Sequence, residues 1–169
     1  MNLDEFIPLS NPFLFKKAFS NLDNRDALIH FLKSVAKIGE ELLRNNLEVK
    51  HENILDKTRL DKNLSEDLII KCDGHIINLE FYQEFDEISL IKSISNITKM
   101  VYSELEQGKT YNEMDNIIQI NIIKKDKTGI MKDFVNEFHL QNIKTNEKLL
   151  PSKVLIKYYN LDKIEEEKL

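Results

Sequence analysis

Two carboxylates frame the segment of the sequence best suited to chemistry. Asp67 opens the run Asp67-Leu-Ile-Ile-Lys-Cys72, and Glu80 sits inside Ile76-Ile-Asn-Leu-Glu-Phe-Tyr82, with Asp73-Gly74 between them. Asp-Gly between two β-rich runs is a strong hairpin signal. A hairpin over Asp67 to Gln83 sets both acids near its open end. Neither belongs comfortably in a buried strand, because carboxylates are rarely buried unless paired or metal-bound. Two of them a few ångströms apart repel, and one pKa rises unless a cation lies between. A hard divalent ion, Mg²⁺ or Mn²⁺, removes that conflict. It accepts one or two carboxylates, keeps several waters and leaves positions for phosphate oxygens. Such an ion lowers the pKa of a bound water and stabilises a departing oxygen, which is what phosphodiester hydrolysis needs. The plainer alternative is that Asp67 and Glu80 cap the hairpin edge and pair with nearby lysines.

Other chemistries find less support. His30, His51, His75 and His139 show no metal-ligand spacing, and His75 falls near the hairpin tip. No Gly-rich phosphate loop and no Ser/His/Asp order with a nucleophile elbow occurs. The single cysteine, Cys72, allows neither a disulfide framework nor a cysteine zinc site, and its apolar strand suits buried filler. Tyr102, Tyr111, Tyr158 and Tyr159 are of a type that stacks on bases, although packing is the commoner use.

The elements that must position the acids follow from periodicity. Asn11-Pro12 reads as a helix start ahead of Phe13 to Phe19. Asn24 is placed to cap a second helix running to about Lys37, with Leu28, Phe31, Leu32 and Val35 on one face. Gly39 either ends it or dents it before Leu42-Leu43. Leu47-Glu48-Val49 suits a short strand. Asp86 is placed to cap a long helix to about Gln107, with Leu90, Ile94, Ile97, Val101 and Leu105 as its apolar stripe and Gly108 as its stop. Asn116 to Ile123 is the clearest strand, and a strand after a crossover helix usually lies parallel in the same sheet. Phe134 to Leu140 and Val154 to Tyr159 read as further strands. The tail from Glu165 to Lys168 reads as fraying or the start of another helix.

The bulk properties fit this reading. The chain has 169 residues, 41% apolar and 31% charged, with only 4 Gly and 3 Pro, as expected of one domain spanning 1–169. No signal peptide or membrane-length apolar run is visible, so the cytoplasm is the expected location. The net charge of −5 argues against a protein that coats DNA with a generally basic surface. It leaves room for a local basic rim, with Lys57, Arg59 and Lys62 before the hairpin and Lys124, Lys125 and Lys127 after the later strand.

Three segments together carry a family likeness: Asn11-Pro-Phe-Leu-Phe-Lys-Lys-Ala-Phe19, Asp67 through Asp73-Gly74 to Glu80, and Lys92 through Thr98-Lys99-Met100 to Leu105. In order and spacing they resemble the recombination-promoting nuclease / transposase family of the PD-(D/E)XK superfamily. The strand Asn116 to Ile123 and the segment Phe138 to Tyr159 are similar too. The resemblance implies a restriction-endonuclease-like α/β/α core, with a central mixed sheet of about four to six strands flanked by helices. It implies Mg²⁺- or Mn²⁺-dependent DNA cleavage, with Asp67 and Glu80 matching the two metal-binding acids and no covalent enzyme intermediate. Members typically run longer, which implies either sequence missing after this segment or a short relative.

The chain departs from the family pattern at three positions. The family expects Glu-x-Gln, but Tyr82 holds the Gln position and Gln83 comes one residue late, facing the other way unless a β-bulge intervenes. Pro12 stands where the family tends to carry Asp. Lys92 holds an arginine-like position, keeping the charge for phosphate but losing the bidentate fork. The expected site is therefore Asp67 and Glu80 on the metal, Lys92 on phosphate, and Gln83 or Tyr82 in the third position. The competing function is a degenerate nuclease-fold module that binds DNA or a protein without cutting. A homodimer using exposed parts of the 90–105 helix is a third reading, with no motif of its own.

Overall fold

The Ile-rich run before position 124 and the Asp-Gly hairpin form the middle of a six-stranded mixed sheet. A computed structural model describes residues 12–50, 68–106, 108, 110, 112–148 and 153–164, without the side chains of Pro12, Phe13 and Leu22. In chain order the elements are α1 (Pro12–Ser20), α2 (Arg25–Val35), α3 (Glu40–Asn46), β1 (Glu48–Lys50), β2 (Leu68–Cys72), β3 (His75–Tyr82), α4 (Glu87–Glu106), β4 (Asn116–Ile123), β5 (Val135–Phe138) and β6 (Val154–Asn160). The strands lie in the order β1-β2-β3-β4-β6-β5. The inner trio β3, β4 and β6 is parallel, and the outer pairings are antiparallel. The expected α/β/α arrangement is present.

The β2–β3 turn shows why the sequence folds this way locally. Asp73 and Gly74 both take positive φ, 41° and 73°. A two-residue hairpin turn of that hand matches strand twist, and Gly adopts it at no steric cost. The turn sets the register Leu68↔Leu79 through Cys72↔His75. It also fixes which residues of β3 face each layer.

The two faces differ in kind. On one, Leu68, Ile70, Ile77, Leu79, Phe81, Ile118, Ile120 and Ile122 meet Phe15, Leu28, Leu32 and Leu43 of α1, α2 and α3 in a continuous apolar core. Complete burial of one such aliphatic side chain contributes about 1.5–3 kcal/mol. The opposite face lies under α4 and is half polar. Asn78, Glu80, Gln119 and Asn121 are all buried there, beside the smaller apolar groups around Tyr82–Phe85 and Ile97–Met100.

That polar face corrects the expected orientation of α4. The stripe Leu90, Ile94, Ile97, Val101 and Leu105 is not the buried one as a whole, because Ile94 is exposed. The buried side is Ser93, Asn96, Ile97, Met100, Ser103 and Glu104, while Ile88 and Ile91 stand 77% and 67% exposed. The sheet supplies the physical reason. The buried Glu80 carboxylate needs a hydrogen-bonding group above it, which Lys92 of α4 supplies, while Asn78, Gln119 and Asn121 bond along the sheet. An aliphatic residue at 92 would leave a weakened acceptor, a loss of about 1–3 kcal/mol.

Smaller adjustments concern element ends. Asn24 precedes α2 but its side chain does not cap it; the amide donates instead to the Ala18 carbonyl at 2.9 Å. Gly39 begins α3 rather than ending α2. Asp86 caps α4 as expected, accepting from the Ser89 N–H and hydroxyl at 2.8 Å each. Gly108, with φ of 80°, follows the end of that helix. No helix among the described residues is long and apolar enough to cross a membrane.

Candidate metal centre

Glu80 is the one carboxylate in the middle strands of the sheet. It lies on β3 two residues before the strand ends, it is only 2% exposed, and its cross-strand neighbour in β4 is Asn121. A charge this deep requires a counter-charge and hydrogen bonds. Both are supplied. Oε1 accepts from the Lys92 ammonium at 2.9 Å, reaching down from α4. Oε2 accepts a short hydrogen bond from the Tyr82 hydroxyl.

Tyr82 and Glu80 share a face because side chains alternate along a strand. The β3–β4 register runs without interruption from His75↔Asn116 to Tyr82↔Ile123. No β-bulge therefore occurs at Phe81–Tyr82, and the inserted-residue route for bringing Gln83 to Glu80's face is absent. Gln83 is half-buried and follows the last residue of the strand. The Tyr82 ring packs edge-on to Phe85 at 5.1 Å, and the Lys92 ammonium lies 5.7 Å from its centroid. Tyrosine thus contributes a hydroxyl to the carboxylate and an electron-rich face to the ammonium.

Further polar groups that sequence reading did not bring to this site surround the trio. Ser93 and Tyr158 join their hydroxyls at 2.5 Å beneath α4. Burial pushes the Tyr158 phenol up, and the negative charge of Glu80 adds to this, while the Ser93 bond opposes it. Asn78 donates to Gln119 at 2.9 Å, and Gln119 donates to Asn121 at 2.8 Å, giving a row of amides along β3 and β4. A signal for that row existed: Gln119 and Asn121 alternate with isoleucines in a strand buried on both faces, where near-continuous apolar sequence is the norm.

The remaining expected residues divide as follows. Asp67 lies outside the described residues, as do Lys57, Arg59, Lys62, His51 and Tyr111. Leu68, the residue after Asp67, faces Leu79, the residue before Glu80. Lys92 meets Glu80. Pro12 begins α1, with its side chain outside the described set. Lys124, Lys125 and Lys127 are exposed just beyond the end of β4, and Lys127 forms an ion pair with Glu84. Among the described residues no three of His, Cys, Asp and Glu lie together as a ready-made metal cluster.

The donor chemistry at Glu80 nevertheless fits a hard divalent ion. A carboxylate offers about four acceptor positions, and Lys92 and Tyr82 take one on each oxygen. Magnesium-type ions bind through only one or two carboxylates, with waters completing the shell. The position also suits a ligand site, since open α/β sheets bind at the carboxyl ends of their parallel strands.

Neither a curated protein nor a solved structure matches the chain. A family model described as PD-(D/E)XK nuclease family transposase matches residues 9–169. That match spans every described element, including the β2–β3 hairpin and α4. The chain therefore belongs to the PD-(D/E)XK nuclease family transposases.

Proposed function

We propose that this chain is a divalent-metal-dependent DNA endonuclease that hydrolyses phosphodiester bonds, with Mg²⁺ or Mn²⁺ held by Glu80 and Asp67. The observation that carries the reading is Glu80 itself. A carboxylate 2% exposed, at the carboxyl end of a central parallel strand, with a lysine ammonium on one oxygen, is costly for folding alone. Sites that bend such rules are commonly functional. Asp67 enters through the sequence alone: it immediately precedes Leu68, which pairs with Leu79, the residue before Glu80.

A bound ion supplies charge stabilisation at the phosphate and a water of lowered pKa. The protein's own groups do the rest. Tyr82 fixes the orientation of Glu80 through Oε2. Lys92 supplies positive charge beside the acid, available to phosphate. The exposed Lys124 and Lys125 at the end of β4 extend positive charge toward a DNA backbone, where each phosphate contact adds affinity and salt dependence.

The test is cleavage of plasmid DNA with Mg²⁺ or Mn²⁺. Wild-type protein should nick or linearise the plasmid, while Asp67→Ala and Glu80→Gln should each lose the activity. Full metal-dependent cleavage by both variants would refute the proposal. One specific observation favours the second reading, a module that binds DNA or protein without cutting: Tyr82 occupies the place of the expected glutamine, and its hydroxyl is committed to Glu80. Calorimetric titration separates the two, since a non-cutting module need not bind Mg²⁺ or Mn²⁺ in a Glu80-dependent manner.

A further inference from the structure

We infer that Lys92 is an exchangeable counter-cation: it neutralises Glu80 while the metal is absent, and metal binding displaces its ammonium from Oε1 toward solvent. This rests on the reading of Glu80 as a metal ligand and adds how that site loads.

Three observations carry it. The Glu80 carboxylate is closed in, but its partner is not: the Lys92 side chain is 27% exposed. The carboxylate has a second holder on its other oxygen. If Lys92 leaves Oε1, Tyr82 still grips Oε2, so the acid keeps its aim during exchange. The third observation is a second seat. The Lys92 ammonium already lies 5.7 Å from the Tyr82 ring centroid, so movement off the carboxylate need not remove it from all favourable contact.

Electrostatics favours the exchange. A divalent ion and an ammonium on the same carboxylate oxygen would repel at close range, in a site where water screens poorly. Withdrawal of the ammonium relieves that repulsion, and Lys92 has a flexible four-carbon stem and a partly exposed side chain. The pair Lys157–Glu137 has the opposite build. There the lysine is 2% exposed and the acid 35%, so that ammonium has no way out. Lys71–Glu104 resembles Lys92–Glu80 both in exposure and in having the acid's second oxygen engaged, there by the Asp115 backbone N–H at 3.2 Å, but Glu104 is not read as a metal ligand. These two pairs serve as internal references.

The test uses Mn²⁺ as the probe on the full chain. Calorimetry should show Lys92→Met binding Mn²⁺ at least about tenfold tighter than wild type, a difference of about 1.4 kcal/mol, because the resident competitor is gone. Lys92→Arg should retain competition and bind like wild type. On unaltered protein, lysine acetylation read by mass spectrometry should speed up severalfold at Lys92 with saturating Mn²⁺. It should stay unchanged at Lys71 and Lys157, and the Lys92 response should vanish in Glu80→Gln. Glu80-dependent Mn²⁺ binding with unchanged Lys92 labelling would overturn the exchange while leaving the metal site standing. So would equal or weaker Mn²⁺ binding by a folded Lys92→Met. Absence of Mn²⁺ binding in wild type and Lys92→Met alike would overturn both the exchange and the metal-site reading.

Discussion

Replacing Tyr82 with phenylalanine removes one oxygen from the centre of the site and little else. The ring stays, and with it the edge-on packing against Phe85 at 5.1 Å. What is lost is the hydroxyl's bond to the buried Glu80 carboxylate. Hydrogen bonds to charged groups contribute about 1.5–3 kcal/mol. Lys92 remains on the other oxygen at 2.9 Å, so Glu80 is weakened rather than stripped. The expected cost is therefore about 2 kcal/mol. In a chain of this length each kcal/mol moves Tm by roughly 2–4 °C, which gives a fall of roughly 4–8 °C. Reversible urea unfolding followed by circular dichroism measures the free energy, and a thermal scan gives the shift. The double-mutant cycle with Glu80→Gln isolates the contact and should return a coupling of about 1 kcal/mol or more. A folded Tyr82→Phe within about 0.5 kcal/mol of wild type, or a coupling near zero, would refute the claim that this hydroxyl secures the acid.

Three further outcomes follow from other parts of the molecule. The Lys157 ammonium holds the Glu137 carboxyl below its usual 4.5, so the pair's stabilisation is present above that value and is lost as pH falls through the lowered one. Glu137→Gln should accordingly flatten the acid side of a stability–pH curve and leave the slope around neutrality alone. Burial, aided by the charge of Glu137, pushes the Tyr159 phenol up to about 12 from 10.0. Its contribution is complete below 10 and disappears as pH rises through about 12, so Tyr159→Phe should remove that alkaline loss in denaturant titrations at high pH. Gly74→Ala meets no atom within 4 Å but sits at φ of 73°. It should destabilise by about 1–2 kcal/mol from backbone strain alone, with Mn²⁺ affinity unchanged in calorimetry.

The hairpin, the long helix and the β4 strand were legible because each carries a local signal. Asp73-Gly74 dictates its turn, Asp86 accepts from Ser89 at the start of α4, and the Ile-rich run at 116–123 admits no other element of that length. The parallel β3–β4 pairing followed from the crossover helix between them. The facing of α4 was not legible in the same way. Hydropathy scores a helix against a uniformly apolar core, and here the surface beneath it carries Asn78, Glu80, Gln119 and Asn121. Only the strand order, which the sequence does not announce, reveals that these four residues share one patch. At the site, the alternation rule set Tyr82 on Glu80's face correctly. The hydroxyl–carboxylate bond and the Ser93–Tyr158 contact depend on how α4 and β6 approach β3, a tertiary matter that spacing along one segment cannot carry.

The partly polar buried side of α4 has a consequence for how this protein tolerates change. In most helices the large aliphatic positions resist substitution and the small polar ones drift. Here Ile88 and Ile91 face outward, while Ser93, Asn96 and Glu104 are enclosed. A saturation library over 87–106 should therefore accept charged residues at the two isoleucines and reject aliphatic ones at the serine, asparagine and glutamate. Neutral drift would then make the helix look more conventionally soluble on its outside without touching the side that holds Lys92 over Glu80. Among relatives, the polar positions of this helix would be the better ruler of descent.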